Sequence, residues 1–81
     1  MPVVTETVGQ RLRRLRKERG FSGAAVAKRI RMSESHVMHV ERGENEPGLF
    51  MTAELAKLFG VSLDYLAGLT EHQNNPYVKR I

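Results

Sequence analysis

The segment SESHVMHVERG, residues 33–43, concentrates side chains that can bind metals or donate hydrogen bonds. His36 and His39 are three residues apart and Glu34 is close by, a set that could supply two or three metal ligands from one helix. Rings at this spacing project from neighbouring sides of a helix, and no third strong ligand follows at motif spacing. We therefore expect no metal and no cofactor, and interpret the segment as a hydrogen-bonding surface.

Catalysis is not indicated elsewhere in the sequence. There is no Gly-rich phosphate loop, no pair of catalytic carboxylates and no Ser/His/Asp arrangement. A chain of 81 residues forms one small domain with little room for a substrate pocket. We predict that the protein is not an enzyme and has no small-molecule substrate.

Cysteine is absent, no apolar run approaches the ~20 residues that span a membrane, and the first residues lack the apolar stretch of a signal peptide. These features predict a cytoplasmic protein without a membrane partner.

Positive charge is concentrated in the first half of the chain. Residues 1–43 hold ten Lys/Arg and four Asp/Glu, a net charge of +6, whereas residues 44–81 hold three and five, a net charge of −2. Six of the basic residues lie between Arg11 and Arg19. Charge of this kind favours an anionic partner, most often nucleic acid. A solvated charged face is about equally consistent with the charge alone.

Caps and apolar spacing predict five short helices. The helices begin after Thr7, Ser22, Ser33, about Gly48 and Ser62, and the first four end at Gly20, Ile30, Gly43 and Phe59. Glu44 to Gly48 is a loop, and Arg31 and Met32 form a short turn. The expected fold class is all-α, a compact five-helix bundle in which helices 2 and 3 form a helix-turn-helix. The domain spans residues 1–69, and residues 70–81 form an irregular tail.

A helical wheel divides the third helix into two sides. Val37, Val40, Ser33 and Glu41 share one side, and Ser35, Met38, His39 and Arg42 share the other. A carboxylate on the packed side needs a partner, because an unpaired buried charge is costly. Arg16, four residues after Leu12 in the first helix, is placed to provide one. We predict a structural ion pair between Arg16 and Glu41.

Three segments carry a family resemblance: GQRLRRLRKERGFS, VAKRIRMSESHVMHVERGENEP and LAKLFGVSLDYLAGL. In this order and spacing, between about Val8 and Leu69, they resemble the Cro/CI-type (xenobiotic response element) helix-turn-helix family of bacterial and phage transcriptional regulators. The resemblance implies a lambda-repressor-like domain whose third helix reads base edges of double-stranded DNA, usually as a homodimer on a partly palindromic site. It also supports the ion pair, since similar pairs occur at matching positions in the family.

The sequence departs from the family pattern at three positions. Gly23 replaces a glutamine that often contacts DNA, Arg31 replaces a frequent turn glycine, and Glu34 opens the recognition helix where neutral or basic residues are more usual. A non-glycine residue in a left-handed turn costs on the order of 1 kcal/mol, which is tolerable.

Within this pattern we predict a DNA-binding set. Ser35 can hydrogen-bond a base edge, His39 can donate to guanine N7 or to a phosphate, and Met38 can pack on a thymine methyl. Arg42 is better placed for a phosphate than for a base. The complete predicted set is Ser22, Lys28, Arg31, Ser33, Glu34, Ser35, Met38, His39, Arg42 and Asn45. Arg11, Arg13 and Arg14 are expected to contribute mainly to the positive field.

A homodimer is expected because one small domain buries little surface on DNA. The predicted interface consists of Leu63, Tyr65, Leu66, Leu69, Tyr77 and Val78; alternatively, the tail folds back onto its own domain.

The predicted function is a sequence-specific regulator of transcription, most simply a repressor. The alternative is an antitoxin or protein-interaction module whose main partner is another protein. Gly23 and Glu34 slightly favour the alternative, and the basic first half favours the regulator.

Overall fold

The computed structural model describes residues 6–71 and 73. In this part of the chain the regular secondary structure consists of helices, apart from a single β-bridge residue, Val61. The five helices are α1 (Val8–Glu18), α2 (Gly23–Ile30), α3 (Glu34–Glu41), α4 (Gly48–Phe59) and α5 (Leu63–Ala67). The all-α prediction and the order of its five helices are confirmed. α2 and α3 pack against each other, and α1 packs against α3, α4 and α5.

Side-chain caps define where most of the helices begin. Thr7 Oγ1 accepts a hydrogen bond from the Gln10 amide at 3.1 Å, and Gln10 Oε1 accepts one from the Thr7 amide at 2.9 Å. This reciprocal arrangement is a capping box. Ser22, Ser33 and Ser62 cap α2, α3 and α5 more simply, since each hydroxyl oxygen accepts one hydrogen bond from a backbone amide in the first turn. The capping residues thus fix the start of both helices of the helix-turn-helix.

One core joins all five helices. Its buried members are Leu12, Leu15, Val26, Ala27, Ile30, Val37, Val40, Met51, Leu55, Ala56, Phe59, Val61, Tyr65 and Leu66. α1 approaches the end of α3 closely at Gly9, where an added Cβ would lie 2.4 Å from the Val40 carbonyl oxygen. Only glycine permits this approach, which fixes the C-terminal end of α3 against α1.

The turn between α2 and α3 contains a non-glycine residue in the left-handed region. Arg31 has φ 60° and ψ 44°, and the next amide, that of Met32, donates a 2.9 Å hydrogen bond to the Ala27 carbonyl. The turn conformation expected from the family pattern is therefore adopted without glycine. Because it closes α2, it sets the direction in which α3 begins.

Part of the predicted dimer interface lies inside the domain, which requires a correction. Leu66 is fully buried and Tyr65 is only 8% exposed, because both complete the core beneath α1. Neither can present a surface to a second copy in this conformation. Leu63 and Leu69 are exposed. Tyr77 and Val78 lie outside the described residues.

Gln73 belongs to the predicted tail and contacts its own domain. Its carbonyl accepts a 3.0 Å hydrogen bond from the Ser62 amide, and its Nε2 donates a 3.2 Å hydrogen bond to the Tyr65 hydroxyl. At this residue the chain therefore lies against the start of α5.

In the described part of the chain, every helix is too short or too polar to cross a bilayer.

Candidate nucleic-acid interface

α3 has one face in the core and one face in solvent. Val37, Val40 and Glu41 are buried, whereas Glu34 and Ser35 are exposed. His36, Met38 and His39 are partly buried at the boundary, and Arg42, the C-cap, is exposed. The structure therefore leaves the edge that carries Ser35 and His39 open to solvent, as the helical wheel predicts.

The predicted ion pair between α1 and α3 is present. Arg16 Nε lies 2.7 Å from Glu41 Oε2, and Arg16 Nη2 lies 3.0 Å from Glu41 Oε1. The side chains are only 11% and 6% exposed, and the hydrogen bonds to Glu41 raise the pKa of Arg16. Arg16 Nη1 also donates to the Phe21 carbonyl at 3.0 Å. A two-point contact of this kind fixes the orientation of α3 as well as its position.

Met38 extends from α3 over the beginning of α2. An added Cβ at Gly23 would lie 2.3 Å from Met38 Cε, and the Glu34 carboxylate would lie 3.7 Å away. Glycine at this position therefore makes room for the methionine side chain. Met38 is packed against the core on one side, so only part of it is open to a ligand.

His39 and Arg42 both contact a carboxylate that helical periodicity does not single out. Glu44 Oε1 lies 3.0 Å from His39 Nδ1, and Glu44 Oε2 lies 3.2 Å from Arg42 Nε. The signal in the sequence is the proximity of Glu44 to the end of α3, five residues after His39. Two members of the predicted DNA-binding set are thus joined to one loop residue.

The other predicted contact residues surround α3 on the surface. Ser22 and Ser33 are exposed at the N-termini of α2 and α3, where their hydroxyl oxygens already serve as caps. Lys28, Arg31 and Asn45 are also exposed. Within residues 6–71 and 73, neither Lys28 nor Arg31 forms an ion pair. These two cations are therefore available to an anionic ligand.

The expectation for Arg11 and Arg14 was wrong, because both arginines connect α1 to α5. Arg11 is buried, with its Nη1 donating to the Tyr65 carbonyl at 3.0 Å and its Nε to Glu6 at 3.2 Å. Arg14 binds Glu6 at 2.8 Å and donates to the Tyr65 hydroxyl at 2.6 Å. The hydrogen bond from Arg14 is the main cause of a lowered pKa at Glu6. Both arginines therefore have a structural role in joining α1 to α5.

A metal site at His36 and His39 would need further ligands. The described residues contain no group of three or more His, Cys, Asp or Glu side chains arranged to hold an ion.

Comparison with known sequences identifies the domain. The sequence model of a helix-turn-helix domain family matches residues 7–69. The chain is 37% identical over 71 residues to YobD, an uncharacterized HTH-type transcriptional regulator of Bacillus subtilis strain 168. That alignment covers 88% of this chain and 62% of YobD. The chain thus spans less than two thirds of the length of YobD, and only 13% of the length of the Mycobacterium tuberculosis regulator RamB, to which it is 35% identical over 60 residues.

Solved structures share the fold. The P22 c2 repressor in complex with synthetic operator 9T has a TM-score of 0.76 and 32% identity, covering 82% of this chain and 100% of that chain. Bacillus subtilis SinR in its complex with SinI has a TM-score of 0.70 and 26% identity, covering 74% of this chain and 59% of that chain. The chain belongs to the helix-turn-helix domain family, and its resemblance to Cro/CI-type transcriptional regulators and phage repressors is confirmed.

Proposed function

We propose that this protein is a transcriptional repressor that binds double-stranded DNA as a homodimer on a partly palindromic operator. One observation carries the proposal: the exposed polar edge of α3 is held in a fixed orientation by the buried Arg16–Glu41 pair. The P22 c2 repressor, which has the same fold, was crystallised with a synthetic operator. A fixed helix with a solvent-facing polar edge is the arrangement that a helix-turn-helix places in the major groove.

Base readout is assigned to the first two turns of α3. Ser35 is exposed in the first turn, and its hydroxyl can donate to or accept from a base edge. His39, one turn later, can donate to guanine N7 or to a phosphate, and the open part of Met38 can pack on a thymine methyl. Glu34 can accept a hydrogen bond from cytosine N4, which gives a carboxylate a favourable place in the groove.

Phosphate contacts are assigned to the residues around α3. Lys28 and Arg31 carry charges without ion-pair partners in the described part of the chain. Ser22 and Ser33 stand at helix N-termini, where free main-chain N–H groups bind anions. Asn45 and Arg42 complete the set from the end of α3. Such contacts supply affinity and salt dependence without distinguishing base sequences.

Leu63 and Leu69 support the homodimer. Both leucines are exposed, one at the start of α5 and one just after it. Apolar side chains at one end of a small domain can bury surface against a second copy. The two α3 helices would then reach half-sites about 34 Å apart, one turn of DNA. Tyr77 and Val78 remain part of this proposed interface.

A second candidate function is a protein-interaction module, for example an antitoxin. The observation that favours it is the adjacent pair Leu49 and Phe50, which are 80% and 65% exposed at the start of α4. Two neighbouring apolar side chains in water favour contact with another protein. The related SinR was solved in a complex with another protein, SinI.

Selection of bound duplexes from a random pool, followed by gel-shift titration at several salt concentrations, tests the proposal. A dimer with three phosphate contacts per protomer should give a slope of log K against log salt of about −5. Lys28→Ala should weaken binding to all duplexes alike, whereas Ser35→Ala should relax the base preference at one position of each half-site. Folded protein with no DNA affinity at low salt, purifying with another chain, would favour the second candidate.

A further inference from the structure

Glu44 contacts two neighbouring donors at the end of α3. One carboxylate oxygen lies 3.0 Å from His39 Nδ1, and the other lies 3.2 Å from Arg42 Nε. Arg42 Nη2 adds a hydrogen bond of 3.3 Å to the first oxygen. The same carboxylate therefore occupies both of the groups that the proposed function assigns to DNA at this end of the helix.

The backbone holds Glu44 in this place independently of its side chain. Gly43 adopts φ 79°, and its amide donates to the Val40 carbonyl at 3.0 Å. The Glu44 amide then donates to the His39 carbonyl at 2.9 Å. This pair of bonds is the Schellman ending of a helix, which brings the second residue after the cap next to the last turn. Removing the charge of Glu44 should leave the loop in position.

A carboxylate and a phosphate are alternative acceptors for the same donors. The Nε and Nη2 edge of Arg42 binds one anion at a time in a two-point contact. If a phosphate takes Arg42, the Glu44 carboxylate loses its partner and remains beside a polyanion. We infer that Glu44 competes with a DNA phosphate for Arg42 and His39 and so lowers the affinity of the protein for every duplex. This inference rests on the proposed function, and Glu44 acts in it as a positioning residue through its two partners.

Glu46 provides a matched control in the same loop. It is exposed and lies two residues further along the chain. It forms no ion pair within residues 6–71 and 73. Glu46→Gln changes the net charge by the same amount as Glu44→Gln but releases no donor. The difference between the two variants therefore isolates the competition from the general effect of charge.

The experiment measures the affinity of wild type, E44Q and E46Q for a random-sequence duplex over a series of salt concentrations. E44Q should bind about 1.5- to 5-fold more tightly than wild type, the range expected on release from one exposed ion pair. Its salt slope should steepen by about 0.9 for each additional phosphate that the released Arg42 neutralises. E46Q should show less than half of this increase in affinity. In an H39A/R42A background, the increase from E44Q should fall to that from E46Q.

Two results would overturn the inference while leaving the proposed function intact: equal increases in affinity for E44Q and E46Q, or a full increase for E44Q in the H39A/R42A background. Thermal unfolding of each variant, followed by circular dichroism, checks that all are folded. If folded wild type and both variants bind no duplex at low salt, the proposed function itself is wrong, and the competition is overturned with it.

Discussion

Two arginine–carboxylate contacts lie near the C-terminal end of α3, and they differ mainly in burial. The side chains of Arg16 and Glu41 are 11% and 6% exposed, whereas those of Arg42 and Glu44 are 58% and 51% exposed. A buried carboxylate that loses its partner is strongly destabilising, but an exposed pair contributes about 0–1 kcal/mol. The buried Arg16–Glu41 contact, the inner pair, can therefore fix α3 in the bundle. In the exposed Arg42–Glu44 contact, the outer pair, Arg42 can exchange its carboxylate for a ligand.

The largest effect should follow from breaking the inner pair. Arg16→Met leaves Glu41 almost buried without a cation, so the free energy of unfolding should fall by about 3 kcal/mol. In a domain of this size, that corresponds to a melting temperature at least about 10 °C lower. Thermal unfolding followed by circular dichroism measures the change. Arg42→Met is the control for the outer pair and should cost less than about 1 kcal/mol. Similar losses for the two variants would contradict the comparison.

A second prediction concerns the boundary between the two faces, where Met38 crosses Gly23. Replacing a helical glycine with alanine is ordinarily stabilising, but here the added methyl would meet Met38 Cε at 2.3 Å. Because Met38 Cε is the end of a flexible side chain and can shift, Gly23→Ala should cancel the usual gain and destabilise the domain by no more than about 1 kcal/mol. Urea unfolding measures the loss.

Met38→Ala provides the matched background. The single substitution removes packing, but it also removes the atom that the new methyl would meet. Gly23→Ala should therefore cost much less in Met38→Ala than in wild type, giving a favourable interaction energy in a double-mutant cycle. Additive losses would show that Met38 does not fill the space above Gly23.

The inner face of α3 could be predicted from sequence because helical periodicity determines it. Val37, Val40 and Glu41 fall on one side of a wheel, and Arg16 falls beside the apolar stripe of α1. Arg11 carried a similar signal, since it lies three residues after Val8 and four before Leu15. The contact of Arg11 with α5 could not be predicted in this way, because packing between helices brings together residues that are more than 50 positions apart.

The contact of Glu44 with His39 and Arg42 could not be predicted from a helical wheel. Glu44 lies beyond the helix, and its approach to His39 depends on the left-handed conformation of Gly43. The burial of Tyr65 and Leu66 was missed for a related reason. α5 has only five residues, Leu63–Ala67, which is too short for periodicity to distinguish its inner face from its outer face.

A third prediction uses Glu6, whose side chain is 27% exposed and so lies between the two pairs in burial. The hydrogen bond from Arg14 holds the pKa of the Glu6 carboxyl below its ordinary value. Its contribution to stability is therefore complete above the pKa of the unfolded chain and is lost as the pH falls through the lower pKa of the folded protein.

Glu6→Gln cannot ionise, so the stability advantage of wild type over this variant should be constant from about pH 7 to pH 5 and shrink below about pH 4. Urea unfolding at a series of pH values measures this difference. Glu46→Gln, which removes an exposed loop carboxylate, should show a much weaker dependence. An advantage that persists undiminished to pH 3 would rule out the Arg14–Glu6 contact as its source.

The smallest effect on stability is expected at Arg31, where folding and the proposed DNA contact should respond in opposite directions. Its left-handed backbone, with φ 60°, is unfavourable for a side chain. Arg31→Gly relieves this strain but increases the entropy of the unfolded chain, so the net stabilisation should be no more than about 1 kcal/mol.

The same change removes a cation, so affinity for duplexes should fall and the salt slope should become shallower by about 0.9 for each phosphate that Arg31 neutralises in wild type. Arg31→Lys keeps both the charge and the strain, and should leave the melting temperature and the slope close to those of wild type. Lower stability of Arg31→Gly would mean that the Arg31 side chain stabilises the fold, and an unchanged salt slope would mean that Arg31 contacts no phosphate.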